Sequence, residues 1–254
     1  MSTISSKTFL GLPIDFNGIK IYPPTVKEVV ASPELIGQYS LLTQSDDDMY
    51  DRFHGKRDSQ GQPLEVPTPL MFLCSTAYAG PQANAQIVDA FQSFIHEPVV
   101  ILPESLQIYV GDLEKELLNI KEGEDYKPRI LDESNFADFQ NALRSVMGDK
   151  PVEKPDPNEH PRIREMKAKA RYRDRIKAKR EAQKQKNGDA PTLGTQLAAM
   201  CCMGLGLNPL NIGDISYASV KVLMTLFQQR DTYDKNYSAI LAGAKGVSLD
   251  SWIK

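Results

Sequence analysis

Apolar and polar residues alternate in two short segments near the amino end of the chain. The first segment spans residues 14–16 and the second spans residues 19–21, and each has an apolar residue at both ends. Asn17 and Gly18 stand between them, and both tolerate the positive φ angles of a two-residue hairpin turn. The pattern therefore predicts a β-hairpin, which the tandem Pro23-Pro24 ends by removing backbone donors.

Helix-capping signals follow this hairpin. Thr25 and Glu28 have the spacing of a capping box, and Ser32-Pro33-Glu34 combines an N-cap, a first-turn proline and an acid. The acidic run Asp46–Asp48 predicts either a further short helix or a solvated turn. Thr68-Pro69 repeats the cap-and-proline signal, so several short helices are expected in this region.

The middle of the chain combines helical spacing with a second hairpin. Helical spacing recurs at residues 87–95 and 113–120, whereas residues 99–102 and 106–110 flank a Pro-Glu-Ser turn and predict strands. Asp132–Asn135 is expected to open a helix that carries four apolar residues on one face, namely Phe136, Phe139, Leu143 and Val146.

Residues 189–254 have a helical pattern of their own. Asp214 is expected to cap a helix whose buried face consists of Ile215, Ala218, Val222, Leu223, Leu226 and Phe227. A preceding helix from Thr192 to Gly204 is expected to cover that face. Trp252, three positions from the end, is interpreted either as a hydrophobic lock on this small domain or as an exposed docking element.

Charge divides the chain more sharply than hydropathy does. Residues 162–186, called the basic arm below, hold twelve Lys or Arg against three acids and so carry +9. Because the whole chain carries −3, the remaining residues carry −12. An acidic body with one basic arm points to partner binding or assembly more readily than to catalysis.

Three interpretations of the basic arm remain open. It is a solvated spacer helix, a docking element for an acidic protein surface, or a nucleic-acid-binding segment, and only Tyr172 interleaves its charges with an aromatic ring. An apolar seam at its start becomes cationic after about two turns, so the arm cannot sustain a coiled coil with itself. The candidate partner-binding residues are Arg162, Arg164, Lys167, Lys169, Arg171, Arg173, Arg175, Lys177, Lys179, Arg180 and Trp252.

The sequence contains no recognisable catalytic or metal-binding constellation. The histidines lie in three separate segments, at His54, His96 and His160, and none stands beside a plausible nucleophile. The cysteines are expected to be small buried residues in a reducing compartment, at Cys74, Cys201 and Cys202. We therefore expect no enzymatic activity, no cofactor and no metal site.

These patterns predict a mainly α protein of three parts, with small β-hairpins in the first. Residues 1–150 are expected to form an α+β domain, residues 151–188 a Pro-rich spacer with the basic helical arm, and residues 189–254 a small all-α domain. No apolar run approaches the roughly 20 residues of a membrane span, and the amino end lacks the layout of a secretory signal. A cytoplasmic protein without a membrane partner is expected.

Several blocks together resemble a known family, the tail assembly chaperones of long-tailed bacteriophages. GIKIYPPTVKEV at residues 18–29 resembles the family's strand, double proline and short helix, and ILDESNFADFQNAL at residues 130–143 resembles its Asn-Phe-centred helix. A Lys/Arg tract follows, and residues 220–253 resemble the family's closing segment. The resemblance covers most of the chain, through packing and assembly signatures rather than catalytic residues.

The resemblance implies a non-enzymatic factor of the host cell cytoplasm. Such a chaperone coats the long helical tape-measure protein, keeps it soluble and recruits tail-tube subunits around it, and self-association is compatible with this role. Two rival functions are a nucleic-acid-binding phage protein that uses the basic arm and a structural component that stays in the virion. The weak aromatic content of the arm argues against nucleic acid as the partner.

Overall fold

The computed structural model describes residues 6–57, 61–80, 83–112, 128–152, 192–203 and 206–248. It also describes nine positions of the basic arm, namely Arg162, Ile163, Met166, Ala170, Arg173, Ile176, Lys177, Arg180 and Gln183. The described residues form a mixed α and β structure with small antiparallel sheets of two and three strands. The predicted combination of helices with small hairpins is thereby confirmed.

Short helices and strands make up the described part of the chain before the basic arm. They begin with α1 (Ser6–Phe9), β1 (Ile14–Phe16), β2 (Ile19–Ile21), α2 (Val26–Ala31), α3 (Glu34–Leu42) and α4 (Asp46–Phe53). They continue with α5 (Pro69–Cys74), α6 (Thr76–Ala79), α7 (Ala83–Ile95), β3 (Val99–Leu102), β4 (Gln107–Val110), β5 (Ile130–Leu131) and α8 (Phe136–Val146). After the arm come α9 (Leu193–Cys201), a 3-10 turn (Ile212–Asp214) and the long α10 (Tyr217–Leu241).

The amino-terminal hairpin is confirmed. β1 and β2 pair antiparallel, with Phe16 opposite Ile19 across the turn. The φ angles are +50° at Asn17 and +81° at Gly18, which are the two positive values that this turn requires. Ile19 and Ile21 are both buried, so one face of β2 belongs to the core.

Capping boxes begin two of the predicted helices. At the start of α2 the Thr25 hydroxyl accepts from the Glu28 N–H at 3.2 Å, while the Glu28 carboxylate accepts from the Thr25 N–H at 2.7 Å. Ser45 and Asp48 make the same reciprocal pair at the start of α4, at 3.3 and 2.9 Å. The acidic run therefore lies in a helix rather than in a solvated turn, and Ser45 provides its cap.

The second predicted hairpin is also confirmed and gains a third strand. β3 pairs with β4 and β4 pairs with β5, all antiparallel, with Val99 opposite Val110 and Ile108 opposite Leu131. Ile108, Val110 and Leu131 are fully buried, so the inward face of this sheet is continuous across β4 and β5. The two-residue β5 was not predicted, because it is too short to show an alternating pattern.

Phe139 on α8 lies at the centre of an aromatic cluster in the core. Its ring contacts Phe16 at 5.9 Å between centroids, Phe91 at 5.7 Å and Phe136 at 6.0 Å. These contacts join α8 to β1 and α7, and α7 in turn packs against α3 and β3. The apolar face predicted for α8 is confirmed, because Phe136, Phe139, Leu143 and Val146 are all buried.

The chain forms two compact units, and their limits differ from the predicted domain boundaries. One unit combines residues 1–151 with residues 214–254, and the other spans residues 152–213. The start of α10 joins the first unit through backbone hydrogen bonds, since the Val26 N–H donates to the Ile215 carbonyl at 3.0 Å and the Tyr217 N–H donates to the Pro24 carbonyl at 2.8 Å. Such pairing between distant segments leaves no pattern in either segment alone.

Two expectations for α10 were wrong. Ser216, rather than Asp214, caps the helix, because its hydroxyl accepts from the Ser219 N–H at 3.1 Å. Of the face predicted to be buried, Ala218 is fully buried, whereas Leu223 is half-buried and Phe227 is 36% exposed. Apolar spacing thus identified an apolar face of the helix but not how deeply that face is buried.

The second unit contains the described positions of the arm and α9. All nine arm positions are helical, as the sequence predicts for this segment. The predicted helix from Thr192 is confirmed as α9, which ends earlier than expected, at Cys201, and the Thr192 hydroxyl accepts from the Thr195 N–H at 3.2 Å. The helix expected at 113–120 and most of the spacer lie outside the described residues.

Candidate protein-docking surfaces

We first consider the metal-ligating and histidine side chains of the described residues. Their His, Cys, Asp and Glu side chains form no group of three or more that could hold a metal ion. The His54 ring stacks on Tyr50 with 4.3 Å between centroids, and the His96 ring stacks on Tyr22 at 4.5 Å. Both imidazoles therefore act as flat packing surfaces in this structure, and His160 lies outside the described residues.

The three cysteines are free thiols in different environments. Cys74 is buried as expected, and its burial raises the pKa of the thiol to about 11, which makes it a poor nucleophile at neutral pH. Cys201 is half-buried, and Cys202 is exposed, so the expectation of burial was wrong for Cys202. None of the described helices combines the length and apolar character needed to cross a bilayer.

The basic arm exposes the predicted partner-binding residues that can be placed. Arg162, Arg173, Lys177 and Arg180 are helical and exposed. The remaining candidates lie outside the described residues, and they are Arg164, Lys167, Lys169, Arg171, Arg175, Lys179 and Trp252.

One stripe of the arm changes from apolar to cationic along its length. We call it the arm stripe, and its members are Ile163, Met166, Ala170, Arg173, Lys177 and Arg180. The sequence spacing alternates between three and four residues, which keeps the members on one side of a helix. Ile163 is 49% exposed and Met166 is 64% exposed, so the apolar part of the stripe is open to a partner.

A polar cluster anchors the first turns of α10 to the body. The Tyr39 hydroxyl donates to Asp149 Oδ2 at 2.6 Å, and Lys221 Nζ donates to Asp149 Oδ1. Burial raises the pKa of Tyr39 above its ordinary value, and the hydrogen bond to Asp149 and the charge of that carboxylate raise it further. Burial and, to a smaller extent, the charge of Asp149 also raise the pKa of Tyr217. Asp149 therefore accepts from one phenol and one ammonium, and its charge also acts on the Tyr217 phenol.

Close backbone approach completes this anchor. Gly148 has φ +73°, and a Cβ at that position would lie 3.1 Å from the Ala218 Cα and 3.3 Å from the Ala218 carbonyl oxygen. On the other side, the Ser216 hydroxyl donates to the Thr8 carbonyl at 3.1 Å and the Ser219 hydroxyl donates to the Phe9 carbonyl. The small residues at the start of α10 thus allow this helix to approach α1 and the end of α8 closely.

The rest of α10 carries a second stripe, which is exposed except at its half-buried first member, Leu223. We call it the α10 stripe, and its members are Leu223, Phe227, Arg230, Asp234, Tyr237 and Leu241. Tyr237 is 48% exposed and Leu241 is 71% exposed, and the Arg230 and Asp234 side chains are 60% and 63% exposed. A long helix that is anchored at one end and carries an exposed stripe along the rest is typical of a protein-binding element.

A small groove near the first hairpin was missed by sequence reasoning. It has a volume of about 320 Å³ and is lined by Tyr22, Pro23, Pro24, Leu35 and His96. Its acidic lining residues are Glu28 and Glu34. The Tyr22 N–H donates to the Phe94 carbonyl at 2.7 Å and so fixes the approach of the Tyr-Pro-Pro segment. The sequence signal is the Tyr-Pro-Pro run itself, which predicts the end of a strand but not a groove.

Comparison with known proteins gives no relative from which to transfer a function. No protein-family model, no curated protein and no solved structure matches the chain.

Proposed function

We propose that this chain is a non-enzymatic tail assembly chaperone of a long-tailed bacteriophage. In this role it binds the tape-measure protein, keeps it soluble in the host cytoplasm and recruits tail-tube subunits around it. The family resemblance described above suggests the role, and the arm stripe is the observation that carries it. An exposed helical stripe with an apolar part and a cationic part suits a helical partner that offers apolar and acidic residues in the same order.

The chemistry of the arm stripe favours many weak contacts over one tight site. Each exposed ion pair contributes only about 0.2–1 kcal/mol, so three cations add modest affinity at any single place. Repeated contacts along a filament gain strength through effective concentration when several modules act together. Weak single contacts also allow the chaperone to be displaced when tail-tube subunits assemble.

Co-expression with the tape-measure protein of the same phage tests this proposal. The wild-type chain is expected to keep the tape-measure protein in the soluble fraction and to co-purify with it. Reversal of three arm charges, with Arg173→Glu, Lys177→Glu and Arg180→Glu, is expected to reduce the co-purified fraction about fivefold or more, because attraction becomes repulsion.

The matched control makes the same change in net charge elsewhere. It combines Lys20→Glu, Lys27→Glu and Lys150→Glu, three exposed residues of the first unit, and is expected to retain tape-measure binding. Equal loss in both variants would indicate a general charge effect and contradict docking by the arm. Retention in both would leave the arm as a spacer and would also contradict it.

The rival functions give different outcomes. Tight DNA or RNA binding that falls steeply with salt, without any effect on tape-measure solubility, would replace the chaperone proposal with a nucleic-acid function. Detection of the chain in purified virions by mass spectrometry, in stoichiometric amounts, would favour a structural component. A chaperone is expected to be absent from finished particles.

A further inference from the structure

The order of residues in the α10 stripe is self-complementary: when a second copy of the helix runs antiparallel, each member of the stripe meets a residue that suits it. Its members are separated by four, three, four, three and four positions, so they remain on one side of the helix over about 27 Å. Consider the α10 helices of two copies side by side and antiparallel, with Thr232 of both copies at the same level along the helix axes. Each member of one stripe then meets one member of the other stripe. Leu223 then faces Leu241, Phe227 faces Tyr237, and Arg230 faces Asp234.

This spacing is that of the a and d positions of a coiled coil. Phe227, Asp234 and Leu241 occupy a positions, and Leu223, Arg230 and Tyr237 occupy d positions. When two such helices run antiparallel, every layer combines an a residue of one copy with a d residue of the other. All six layers of the reversed pair follow this rule, which parallel pairing would not give.

Charge complementarity favours the same arrangement. Within one chain Arg230 Nε and Asp234 Oδ2 are 3.8 Å apart, and both side chains are mostly exposed, so this is a weak ion pair. In the antiparallel pair the two central layers each join the Arg230 of one copy to the Asp234 of the other. Parallel pairing in register would instead place Arg230 against Arg230 and Asp234 against Asp234.

The residues beside the stripe are compatible with this pairing. Leu226, Tyr233 and Ile240 form an apolar row along one edge, and Ile240 is 38% exposed. On the other edge the Asp231 carboxylate accepts from Lys235 Nζ of its own chain at 2.6 Å, which offsets its charge. Gly243, with φ +85°, follows the last turn and ends the helix just beyond Leu241.

We propose that the protein forms a two-fold symmetric dimer in which the α10 stripes of two copies pair antiparallel. The interface is isologous, so each copy contributes the same surface and the assembly closes at two chains. Apolar layers at both ends supply burial, and the two central Arg230–Asp234 layers fix direction and register. This dimer does not depend on the proposed chaperone function, because it requires only the protein itself.

Sedimentation velocity of the full-length chain across a dilution series gives the first test. We expect a monomer–dimer equilibrium for the wild type. Arg230→Asp alone and Asp234→Arg alone each place like charges in both central layers, and each is expected to weaken the dimer at least about tenfold. The double variant with both substitutions restores opposite charges and is expected to return to within about threefold of the wild type.

These outcomes separate loss of the interface from loss of the fold. Both positions are exposed, so circular dichroism melts of dilute samples are expected to change little in any of the three variants. A wild type that stays monomeric at high micromolar concentration would overturn the proposal. A double variant as weak as the single variants would overturn the antiparallel register.

Disulfide trapping tests the direction of the helices. In a background with Cys201→Ser and Cys202→Ser, a chain with Leu223→Cys is mixed with a chain with Leu241→Cys under mild oxidation. The mixed disulfide is expected to dominate, because antiparallel pairing brings these two positions together. Thr232→Cys, on the side of the helix away from the stripe, is the control and is expected to cross-link poorly.

Two other results would contradict this arrangement. A predominance of the disulfide between two Leu223→Cys chains would indicate parallel pairing. Wild-type chains that remain monomeric alone, but lose tape-measure binding when Arg230 or Asp234 is reversed, would assign the α10 stripe to that helical partner instead of to a second copy.

Discussion

The helices α8 and α10 start from the same kind of sequence pattern and reach opposite environments. Both carry large apolar residues at helical spacing, and both faces were expected to be buried. In α8 the expectation holds, with Phe139 fully buried among aromatic rings. In α10 only the first turn is buried, at Ala218, Ser219 and Val220, and Phe227 remains 36% exposed.

This difference separates two kinds of information in a helix. Periodicity reports which face is apolar, because side chains three or four positions apart share a side. It does not report what covers that face, because the covering residues come from other parts of the chain or from another chain. The hairpin and α7 cover α8, whereas α10 continues beyond its anchor at Asp149 and Gly148.

The largest expected effect tests the buried side of the comparison. Phe139→Ala removes the ring that joins Phe16, Phe91 and Phe136 and leaves a cavity that the surrounding elements fill only in part. We expect the free energy of unfolding to fall by about 3–5 kcal/mol. Urea denaturation followed by circular dichroism measures it, and a loss below about 1 kcal/mol would show that this cluster is not the centre of the core.

The second effect tests the junction between the two helices. Gly148→Ala places a Cβ in the left-handed region and against the Ala218 backbone, so strain of about 1–2 kcal/mol adds to a steric cost of similar size. We expect a total loss of about 2–4 kcal/mol in thermal or urea melts. Gly243→Ala is the control, since its φ is +85° with nothing within 4 Å of the added Cβ. Equal losses in both variants would exclude a steric contribution from α10.

The third effect tests the polar anchor through its pH dependence. Tyr39→Phe removes one hydrogen bond to the Asp149 carboxylate while Lys221 remains, and we expect a loss of about 1–2 kcal/mol at pH 8. Because the pKa of Tyr39 is raised on folding, its contribution is fully present below about pH 10 and declines above it, where the unfolded phenol ionises.

The comparison of wild type and Tyr39→Phe across pH provides the measurement. The stability difference between them is expected to be constant from pH 7 to about pH 9.5 and to shrink as the pH rises further. Urea melts at each pH follow it, and the other tyrosines contribute equally to both proteins. A difference that grows above pH 10 would contradict the raised pKa of Tyr39.

Local signals in the sequence predicted most of the small elements. Asn17-Gly18 specified the first hairpin, and the Thr25 and Glu28 capping box specified the start of α2, because each depends on neighbours within a few positions. The strand β5 and the Ser216 cap escaped prediction. The strand has only two residues, and the cap works beside a backbone pairing with Pro24 and Val26.

The candidate surfaces were also predicted only in part, because some of them depend on local sequence and others on contacts between distant segments. The basic arm is visible as a local excess of charge, and its placed residues are helical and exposed. Only Leu223 and Phe227 of the α10 stripe belong to the face that was predicted, and that face was assigned to a core. The rest of the stripe was not predicted, because its self-complementary order becomes relevant only once exposure is known. The anchor at Asp149 joins Tyr39 and Lys221 across long sequence separations, so no local pattern announces it.

The smallest expected effect is on the exposed side of the comparison, at Phe227. Phe227→Ala removes a ring of the same size as Phe139→Ala does. The Phe227 residue is 36% exposed, however, whereas Phe139 is fully buried against other aromatic rings. In samples dilute enough to be monomeric we expect a loss below about 1 kcal/mol, since truncation of a partly exposed residue leaves no closed cavity. A loss of 2 kcal/mol or more, as large as truncation of a core residue, would mean that the Phe227 face packs inside the monomer. The same substitution is expected to weaken the dimer at higher concentration, so a concentration series of melts distinguishes a partner surface from an inert one.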